Sequence, residues 1–334
     1  MTTVTVLGGS GFLGSAFTAA VSARPVRLRV LSRRPAPVPA DARADVEVRR
    51  ADVADPGVVA AAVAGADVVV NLLKHDGDWR RAGTDPRSEL VNTGTTAAIV
   101  AALRGRRSSG RHSPAVCVFA GTVSQVGVPP ERPLDGSEPD RPQTPYDAQK
   151  LEAERLLLAA TAAGVLRGVS LRLPTIYGQG PAAAAPDVGV IAAMIRRALD
   201  GAPLTMWGDG RVMREFVHVE DTVRAFLAAI DGADRLSGRH WLLGTGAPSS
   251  LRDALHLVSG AVAAVSGAAP VPVVAVPPPA HATATDLRSV RVDPVPFSAA
   301  AGWFPRVTLA EGISRTAAAL FADRDRAARN GVLA

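Results

Sequence analysis

A tyrosine and a lysine, Tyr146 and Lys150, stand four positions apart in a chain that contains only two residues of each type. The residues that follow, Leu151 to Ala160, have the composition of a helix, so the two side chains would share one helix face. An ammonium beside a phenol favours the phenolate and lowers the pKa of the tyrosine. Tyr146 is therefore a candidate proton donor or acceptor near neutral pH, although such a pair also occurs on ordinary helix surfaces.

A glycine-rich turn separates the first strand-like run, Val4 to Leu7, from a run of helical composition that begins near Ser15. Its glycines follow the spacing G-x-x-G-x-x-G. Glycine lets the backbone approach a pyrophosphate, and the following helix offers its free amides to the same anion. The turn therefore predicts a dinucleotide site, with a plain turn as the alternative. The predicted contacts are Gly8, Ser10, Gly11, Phe12, Leu13 and Gly14.

The second predicted strand, Arg27 to Leu31, ends at Ser32, Arg33 and Arg34. An NAD site usually carries an acidic residue here for the ribose hydroxyls, whereas two arginines suit a 2′-phosphate. The pattern therefore favours NADP(H), unless the arginines simply face solvent. Further cofactor contacts are predicted after the third and fourth strands, at Asp52, Val53 and Leu72. Asp55 is instead predicted to cap the helix that begins at Pro56.

Strands and helices alternate as far as residue 177, which predicts an α/β fold with a Rossmann-type doubly wound parallel sheet. A Gly-, Ala- and Pro-rich stretch, 178 to 190, then leaves the sheet. We predict a nucleotide-binding domain of 1–177 plus about 216–245, and a smaller α+β substrate domain of 178–215 and 246–334. His75 falls at the expected carboxyl edge of the sheet, where a lone histidine is more often structural than catalytic. The stretch 269–279 is expected to be extended.

Composition excludes several classes of protein. The net charge is +6, but the arginines are scattered and aromatic residues make up 4%, so no nucleic-acid surface is expected and a small anionic ligand fits better. With one cysteine, Cys117, in an apolar run, we expect neither a disulfide nor a metal site. No apolar run reaches the roughly 18 residues of a membrane span, and no signal peptide is evident. We therefore expect a soluble, cytoplasmic protein without a membrane partner.

Taken together, the motifs resemble the extended short-chain dehydrogenase/reductases of the NAD-dependent epimerase/dehydratase group. The resemblance covers nearly the whole chain and is closest to the NDP-4-keto-6-deoxyhexose 4-ketoreductases. Motifs in the family's order carry it: the Gly8–Gly14 turn, Thr122, Tyr146 with Lys150, Arg172 through Gly178, Arg214 through Val219, Ala301 through Pro305, and Glu311 with Gly312.

The resemblance implies a role for each matched residue. Tyr146 would protonate the developing alkoxide, Lys150 would hold the nicotinamide ribose, and Thr122 would bond the sugar keto oxygen. Asn92 lies at the family's helix position that supports the proton relay. Arg214 would clamp the nucleotide diphosphate. A loose alignment adds Arg288 or Arg291, and the family typically forms a homodimer.

Three departures from the family narrow the reaction. The dehydratases need an Asp-Glu pair after the catalytic threonine, but Val123 and Ser124 stand there, so dehydration is not expected. Thr175 replaces a substrate-binding asparagine. The arginines 33 and 34 favour an NADPH that is consumed and exchanged, hence reduction of the C-4 ketone of a dTDP-4-keto-6-deoxyhexose. The alternatives are a C-4 epimerase with bound NAD and a non-catalytic NADP-binding sensor.

The substitution Arg33→Asp tests the cofactor assignment. It removes a donor to the 2′-phosphate and adds a ribose acceptor, so the ratio of kcat/KM for NADPH to that for NADH should fall by roughly tenfold or more. The measurement is initial rates with each cofactor. An unchanged ratio would remove Arg33 from the cofactor site.

Overall fold

The computed structural model describes residues 1–77, 79, 82–108, 113–181, 186–279, 282 and 286–329. Across these ranges, no helix combines the length and hydropathy that crossing a bilayer requires. The first half contains β1 (Thr3–Leu7), α1 (Phe12–Ser22), β2 (Arg27–Ser32), β3 (Asp45–Arg50), α2 (Pro56–Val63), β4 (Val68–Asn71), α3 (Pro86–Glu89), α4 (Thr95–Ser108), β5 (Val116–Thr122), α5 (Pro145–Ala162), β6 (Arg167–Leu173) and β7 (Thr175–Tyr177). The second half contains α6 (Val190–Leu199), β8 (Leu204–Trp207), β9 (Met213–Arg214), β10 (Phe216–His218), α7 (Val219–Asp231), α8 (Ala233–Leu236), β11 (Arg239–Leu242), β12 (Ser249–Ser250), α9 (Leu251–Ser266), β13 (Val273–Val276), α10 (Val295–Ala301) and α11 (Leu309–Arg329).

Seven strands of the described chain form one parallel sheet in the order β3-β2-β1-β4-β5-β6-β11. The prediction of a doubly wound parallel sheet is confirmed. The strand order reverses between β1 and β4. In open α/β sheets, ligands bind at such a reversal, outside the carboxyl ends of the strands.

Alternate side chains of each strand enter two separate cores, as the period of a strand requires. On β4, Val68 and Val70 join the core beneath α1 and α7, where the rings of Phe17 and Phe226 lie 6.1 Å apart. Val69 joins the opposite core, beneath α2, α4 and α5. Cys117 is buried in that second core, which confirms its prediction as a core residue.

A third core lies outside the sheet and is built by α6, α9 and α11, which supply Ile195, Leu255 and Ile313. The strand β13 lies within the stretch 269–279, expected to be extended, and pairs in parallel with β8.

The short parallel strands β7 and β10 separate the third core from the sheet. Ile176 and Val217 pack with the core beneath α1 and α7. Their chain neighbours Tyr177 and Phe216 belong to the third core instead. The two-stranded ribbon of β7 and β10 therefore lies between these two cores and contributes side chains to both.

The division into 1–177 with 216–245 and 178–215 with 246–334 stays a prediction, but α10 does not follow it. Phe297 of α10 and the nearby Trp303 pack in the core beneath α1 and α7. Their rings form a chain with Trp241 of β11, with centroid distances of 6.1 and 5.6 Å. The physical reason is that α10 buries the aromatic ring of Trp241 at this end of the sheet.

The glycine turn between β1 and α1 depends on close backbone approach. Gly8 has φ +88°, a conformation that favours glycine. A Cβ on Gly14 would lie 2.0 Å from the carbonyl oxygen of Gly8. The first turn of α1 can therefore pack directly on the turn that precedes it.

Two glycine-to-alanine changes in helices separate packing from helix propensity. Gly14→Ala should lower the free energy of unfolding by about 1–3 kcal/mol, because backbone must move away from the new methyl group. Gly260→Ala is the matched control in α9: nothing lies within 4 Å of the new Cβ, so stability should rise by roughly 0.5–1 kcal/mol. Urea unfolding of both variants measures the difference, and equal effects would contradict the close packing of the turn.

Candidate active site

A cavity of about 300 Å³ opens beside the carboxyl ends of β5 and β6. Four predicted site residues line it together: Thr122, Tyr146, Thr175 and Arg214. Thr122 and Tyr146 are 24 positions apart in the chain, and the fold brings them to one cavity as the sequence predicts. Neighbouring side chains complete the wall, among them Lys74, Trp79, Ser124, Leu134, Asp147, Leu173, Glu215 and Asp286.

The tyrosine and the lysine lie in the first two turns of α5. Thr144 caps this helix by accepting from the amide of Asp147, and Pro145 occupies its first position. Lys150 is 2% exposed. Its Nζ donates to the carbonyl oxygen of Leu73 at 3.2 Å and lies 4.3 Å from the centroid of the Phe119 ring. Lys150 thus ties α5 to the end of β4.

The pKa shifts contradict the expected effect of Lys150 on Tyr146. Burial, and then the Asp147 carboxylate, raise the pKa of Tyr146 above its usual value. Burial, and then the ammonium of Lys74, lower the pKa of Lys150 to about 7. The prediction that Lys150 lowers the pKa of the phenol is therefore wrong for the protein alone, because desolvation removes much of the lysine's own charge. The phenol therefore keeps its proton at neutral pH, and its raised pKa makes it a weaker acid than the sequence predicts.

Thr122 is linked to α5 by a chain of hydrogen bonds. Its Oγ1 lies 2.8 Å from Ser124 Oγ, which donates to Oδ1 of Asp147 at 2.5 Å. The other carboxylate oxygen of Asp147 accepts from Thr144 Oγ1 at 2.7 Å. Burial raises the pKa of Asp147, and the bonds from Ser124 and Thr144 oppose that rise. The network fixes Thr122 relative to the residue that follows Tyr146.

Asn92 holds the loop after β4 against α5. It lies in a widened helical turn, Leu90–Gly94, between α3 and α4. Its Oδ1 accepts from the amide of His75 at 2.9 Å, and its Nδ2 donates to Ser88 Oγ and to Gln149 Oε1. Its polar atoms therefore serve positioning, while its predicted role in a proton relay stays a prediction.

His75 is engaged structurally. Its Nε2 lies 3.3 Å from Asp85 Oδ2, and its Nδ1 accepts from the amide of Gly77. These contacts agree with the expectation of a structural histidine.

The predicted dinucleotide site has an anion-binding helix terminus. Gly11 occupies the cap position of α1 and has no side-chain oxygen to bond the first amides. Those amides face the turn at Gly8, Ser10 and Gly11. Leu72 borders the turn, since its carbonyl carbon would lie 3.3 Å from a Cβ on Gly8. A pyrophosphate fits a cradle of this kind.

The two arginines after β2 lie beside an acidic residue. Arg33 Nη2 is 2.8 Å from Asp76 Oδ2, and Arg34 Nη2 is 3.7 Å from the same oxygen. Partial burial alone would raise the pKa of Asp76, but hydrogen bonding and charge from Arg33 lower it. Ser32 Oγ donates to the carbonyl of Arg34. The two arginines thus lie at the end of β2, where they could bind a phosphate, but Asp76 partly neutralises their charge.

The remaining predicted cofactor residues after β3 differ in their surroundings. Asp52 accepts from Arg87 Nη2 at 2.8 Å, and that hydrogen bond lowers its pKa. Val53 is buried in the core beneath α2. Asp55 accepts from the amide of Gly57, so its prediction as a helix cap is confirmed. The contacts of Asp52 and Val53 with a cofactor stay predictions.

Arg214 reaches the cavity but is held by backbone carbonyls. Its Nη1 donates to the carbonyls of Met213 and Arg288, and its Nη2 donates to that of Asp286. Burial lowers its pKa. The Arg288 residue is exposed and meets Arg214 through its main chain, so its predicted substrate contact stays a prediction.

A family model for the NAD dependent epimerase/dehydratase family matches residues 4–244. The chain belongs to this family. It is 30% identical over 321 residues to dTDP-6-deoxy-L-talose 4-dehydrogenase (NAD(P)(+)) of Kitasatospora kifunensis, covering 93% of each chain. It is 32% identical over 196 residues to UDP-glucose 4-epimerase of Mycolicibacterium smegmatis, covering 58% of each. Among solved structures, MoeE5 in complex with UDP-glucose and NAD superposes with a TM-score of 0.78 at 26% identity, over 97% of this chain and 99% of that one.

Among the wall residues that sequence reasoning missed are Lys74, Trp79 and Glu215. Lys74 and Trp79 line the cavity next to Tyr146. Glu215 is 1% exposed and joins two loops by accepting from Thr245 and Val292. One signal was present: Lys74 is one of only two lysines in the sequence and follows the buried strand β4 by three residues, at the carboxyl edge of the sheet.

The depressed pKa of Lys150 predicts a pH-dependent stability. The folded protein releases the Lys150 proton near pH 7, whereas the unfolded chain keeps it to about pH 10.4. The unfolded state binds more protons between these values, so stability rises with pH across that window. Relative to Lys150→Met, the wild type should gain up to about 1.4 kcal/mol per pH unit between about pH 7 and 9.

Chemical denaturation of both proteins across that range measures the gain. Because the Lys74 ammonium contributes to the shift, Lys74→Met should move the start of the rise to higher pH. Parallel curves for wild type and Lys150→Met would contradict the burial of a neutral amine.

Proposed function

We propose that the protein reduces the C-4 keto group of a dTDP-4-keto-6-deoxyhexose to an alcohol with NADPH. The observation that carries the proposal is a protonated phenol, Tyr146, lining one cavity with the hydroxyl of Thr122. Reduction of a ketone needs one proton for the oxygen, and a phenol in the cavity wall is placed to supply it.

The proposed reaction balances within this site. When bound, NADPH would supply the hydride for the carbonyl carbon and would be oxidised to NADP⁺. Thr122 Oγ1, which donates to Ser124 Oγ in the protein alone, turns its proton to the keto oxygen and stabilises the developing charge. Tyr146 gives its phenolic proton to the same oxygen and is reprotonated from solvent. Lys150, fixed at Leu73, holds the ribose beside α5.

Binding of the two anionic ligands is assigned to opposite parts of the site. The amide end of α1 receives the cofactor pyrophosphate, and Arg33 and Arg34 receive the 2′-phosphate. Thr175 and Arg214 line the cavity, where the sugar nucleotide would lie, and Arg288 is proposed as a further substrate contact. The relative from Kitasatospora kifunensis supports the assignment, since its name describes C-4 redox chemistry of a dTDP-deoxysugar with either cofactor.

One observation favours a second candidate, a nucleotide-sugar C-4 epimerase with bound NAD. Asp76 partly neutralises Arg33 and Arg34, which weakens the attraction for a 2′-phosphate. The epimerase relative and MoeE5 with bound NAD are consistent with this candidate. A non-catalytic NADP sensor is less consistent, because it would not need a phenol in the cavity wall. Assembly as a homodimer stays a prediction.

Purified protein with NADPH and a panel of keto-sugar nucleotides tests the proposal. Loss of NADPH absorbance with a stoichiometric alcohol product supports reduction. The panel should pair dTDP-4-keto-6-deoxyglucose with its UDP counterpart to read the nucleotide base. Interconversion of two sugars without added cofactor, by protein that carries NAD, would contradict the proposal and establish the epimerase.

The substitution Tyr146→Phe separates chemistry from binding. Removal of the phenolic proton should lower kcat by roughly 10²–10⁴-fold. Cofactor affinity should change little, because Lys150 and the α1 turn are untouched. Steady-state rates and NADPH fluorescence titration give the two values. A kcat close to that of the wild type would remove Tyr146 from the mechanism.

A further inference from the structure

A buried arginine under the cavity holds two carboxylates from different parts of the chain. Arg172 of β6 is 1% exposed. Its Nη1 and Nη2 bind Oδ1 and Oδ2 of Asp140 at 2.7 and 2.8 Å. Its Nε and Nη2 bind Oε2 and Oε1 of Glu154 at 3.1 and 2.5 Å. One guanidinium therefore joins β6, α5 and the segment before α5.

The ion pair between Arg172 and Glu154, which we call the Glu154 arm, holds α5, the helix that carries Tyr146 and Lys150. Glu154 lies one turn after Lys150 and two turns after Tyr146, so it shares their side of α5. It also accepts from Ser170 Oγ of β6 at 2.6 Å. Three hydrogen bonds from β6 thus set the position of α5 along the sheet.

The ion pair between Arg172 and Asp140, which we call the Asp140 arm, holds residues 127–144. These residues form one wall of the cavity, and we call them the wall segment. Gly127, Pro129, Leu134 and Thr144 of this segment line the cavity. Leu134 forms an isolated parallel β-bridge with Val292. The carbonyl oxygen of Gly136 lies 3.1 Å from His240 Nε2. Between these ties and the start of α5, the ion pair of Asp140 anchors the segment to β6.

The free-energy cost of burying these charges indicates that the Arg172 cluster positions the elements that it joins. Removing three charged groups from water is costly, and apolar residues of similar size often stabilise a core as well or better. Arg172 also packs under the reactive end: its Cγ would lie 3.3 Å from a Cβ on Gly121, the residue before Thr122. A costly cluster that touches α5, the wall segment and the strand of Thr122 is suited to setting their relative position.

We propose that Arg172 is a positioning residue with two separable arms: the Asp140 arm sets substrate binding through the wall segment, and the Glu154 arm sets turnover through α5. This inference rests on the proposed reduction of a keto-sugar nucleotide. Its structural part, the clamping of the wall segment, is independent of the substrate.

The substitution Asp140→Asn tests the wall arm. It replaces one carboxylate oxygen with an amide nitrogen that cannot accept a hydrogen bond from Arg172, so the wall segment should become more mobile. We expect KM for the sugar nucleotide to rise by roughly tenfold, with kcat within about twofold. Asp231→Asn is the matched control, because it breaks the exposed bidentate pair with Arg24, far from the cavity, and should change neither value.

The substitution Glu154→Gln tests the helix arm. We expect kcat to fall by roughly tenfold or more while KM changes little, because α5 carries Tyr146. If this variant does not fold, Ser170→Ala removes one bond to the same carboxylate and should lower kcat in the same sense. A rise in KM alone from the helix arm, or a fall in kcat alone from the wall arm, overturns the assignment of the arms.

Amide hydrogen exchange supplies a readout that needs no substrate. In Asp140→Asn, amides of the wall segment should exchange faster than in the wild type, and in Asp231→Asn they should not. Wild-type protein inactive on every keto-sugar nucleotide would defeat the proposed function and leave the exchange result standing. Exchange unchanged in Asp140→Asn would overturn the clamp even in an active enzyme.

Discussion

Desolvation at the start of α5 is the constraint on which the site depends. In the first two turns of this helix, Lys150 is buried against Leu73 and the Phe119 ring, and Tyr146 is half-buried in the cavity wall. Both groups respond by favouring their neutral forms. The proton therefore stays on the phenol, and the neighbouring amine, which is about half protonated at pH 7, is sensitive to any charge placed beside it.

The surrounding polar groups keep that desolvated pair in register. Asn92 holds one side of α5 through Gln149, the hydrogen bonds from Thr122 to Asp147 hold its start, and Arg172 holds its third turn through Glu154. Each is a buried network with matched donors and acceptors, the arrangement in which polar groups add rigidity to a core. Of these groups, Thr122, Ser124 and Asp147 line the cavity, and so does Glu215, which joins two loops.

The sequence predicts the doubly wound sheet and the shared cavity of Thr122 and Tyr146, because strand-helix alternation and the order of motifs place both at one edge. It predicts the cap at Asp55 for a local reason, since capping depends on neighbours in the chain. It could not predict the direction of the Tyr146 pKa shift, which depends on burial by residues far away. Nor could it show that Asp76 meets Arg33, that the Arg214 guanidinium binds carbonyls, or that α10 covers the sheet, since all three are contacts between distant segments.

The ribbon of β7 and β10 has a consequence for how the molecule unfolds. Because neighbouring residues such as Phe216 and Val217 are inserted into different hydrophobic interiors, neither interior can be opened without pulling on a strand that belongs to the other. Heat or denaturant should therefore melt the two interiors cooperatively, as one thermodynamic unit. Neither half would persist as an autonomous folded fragment.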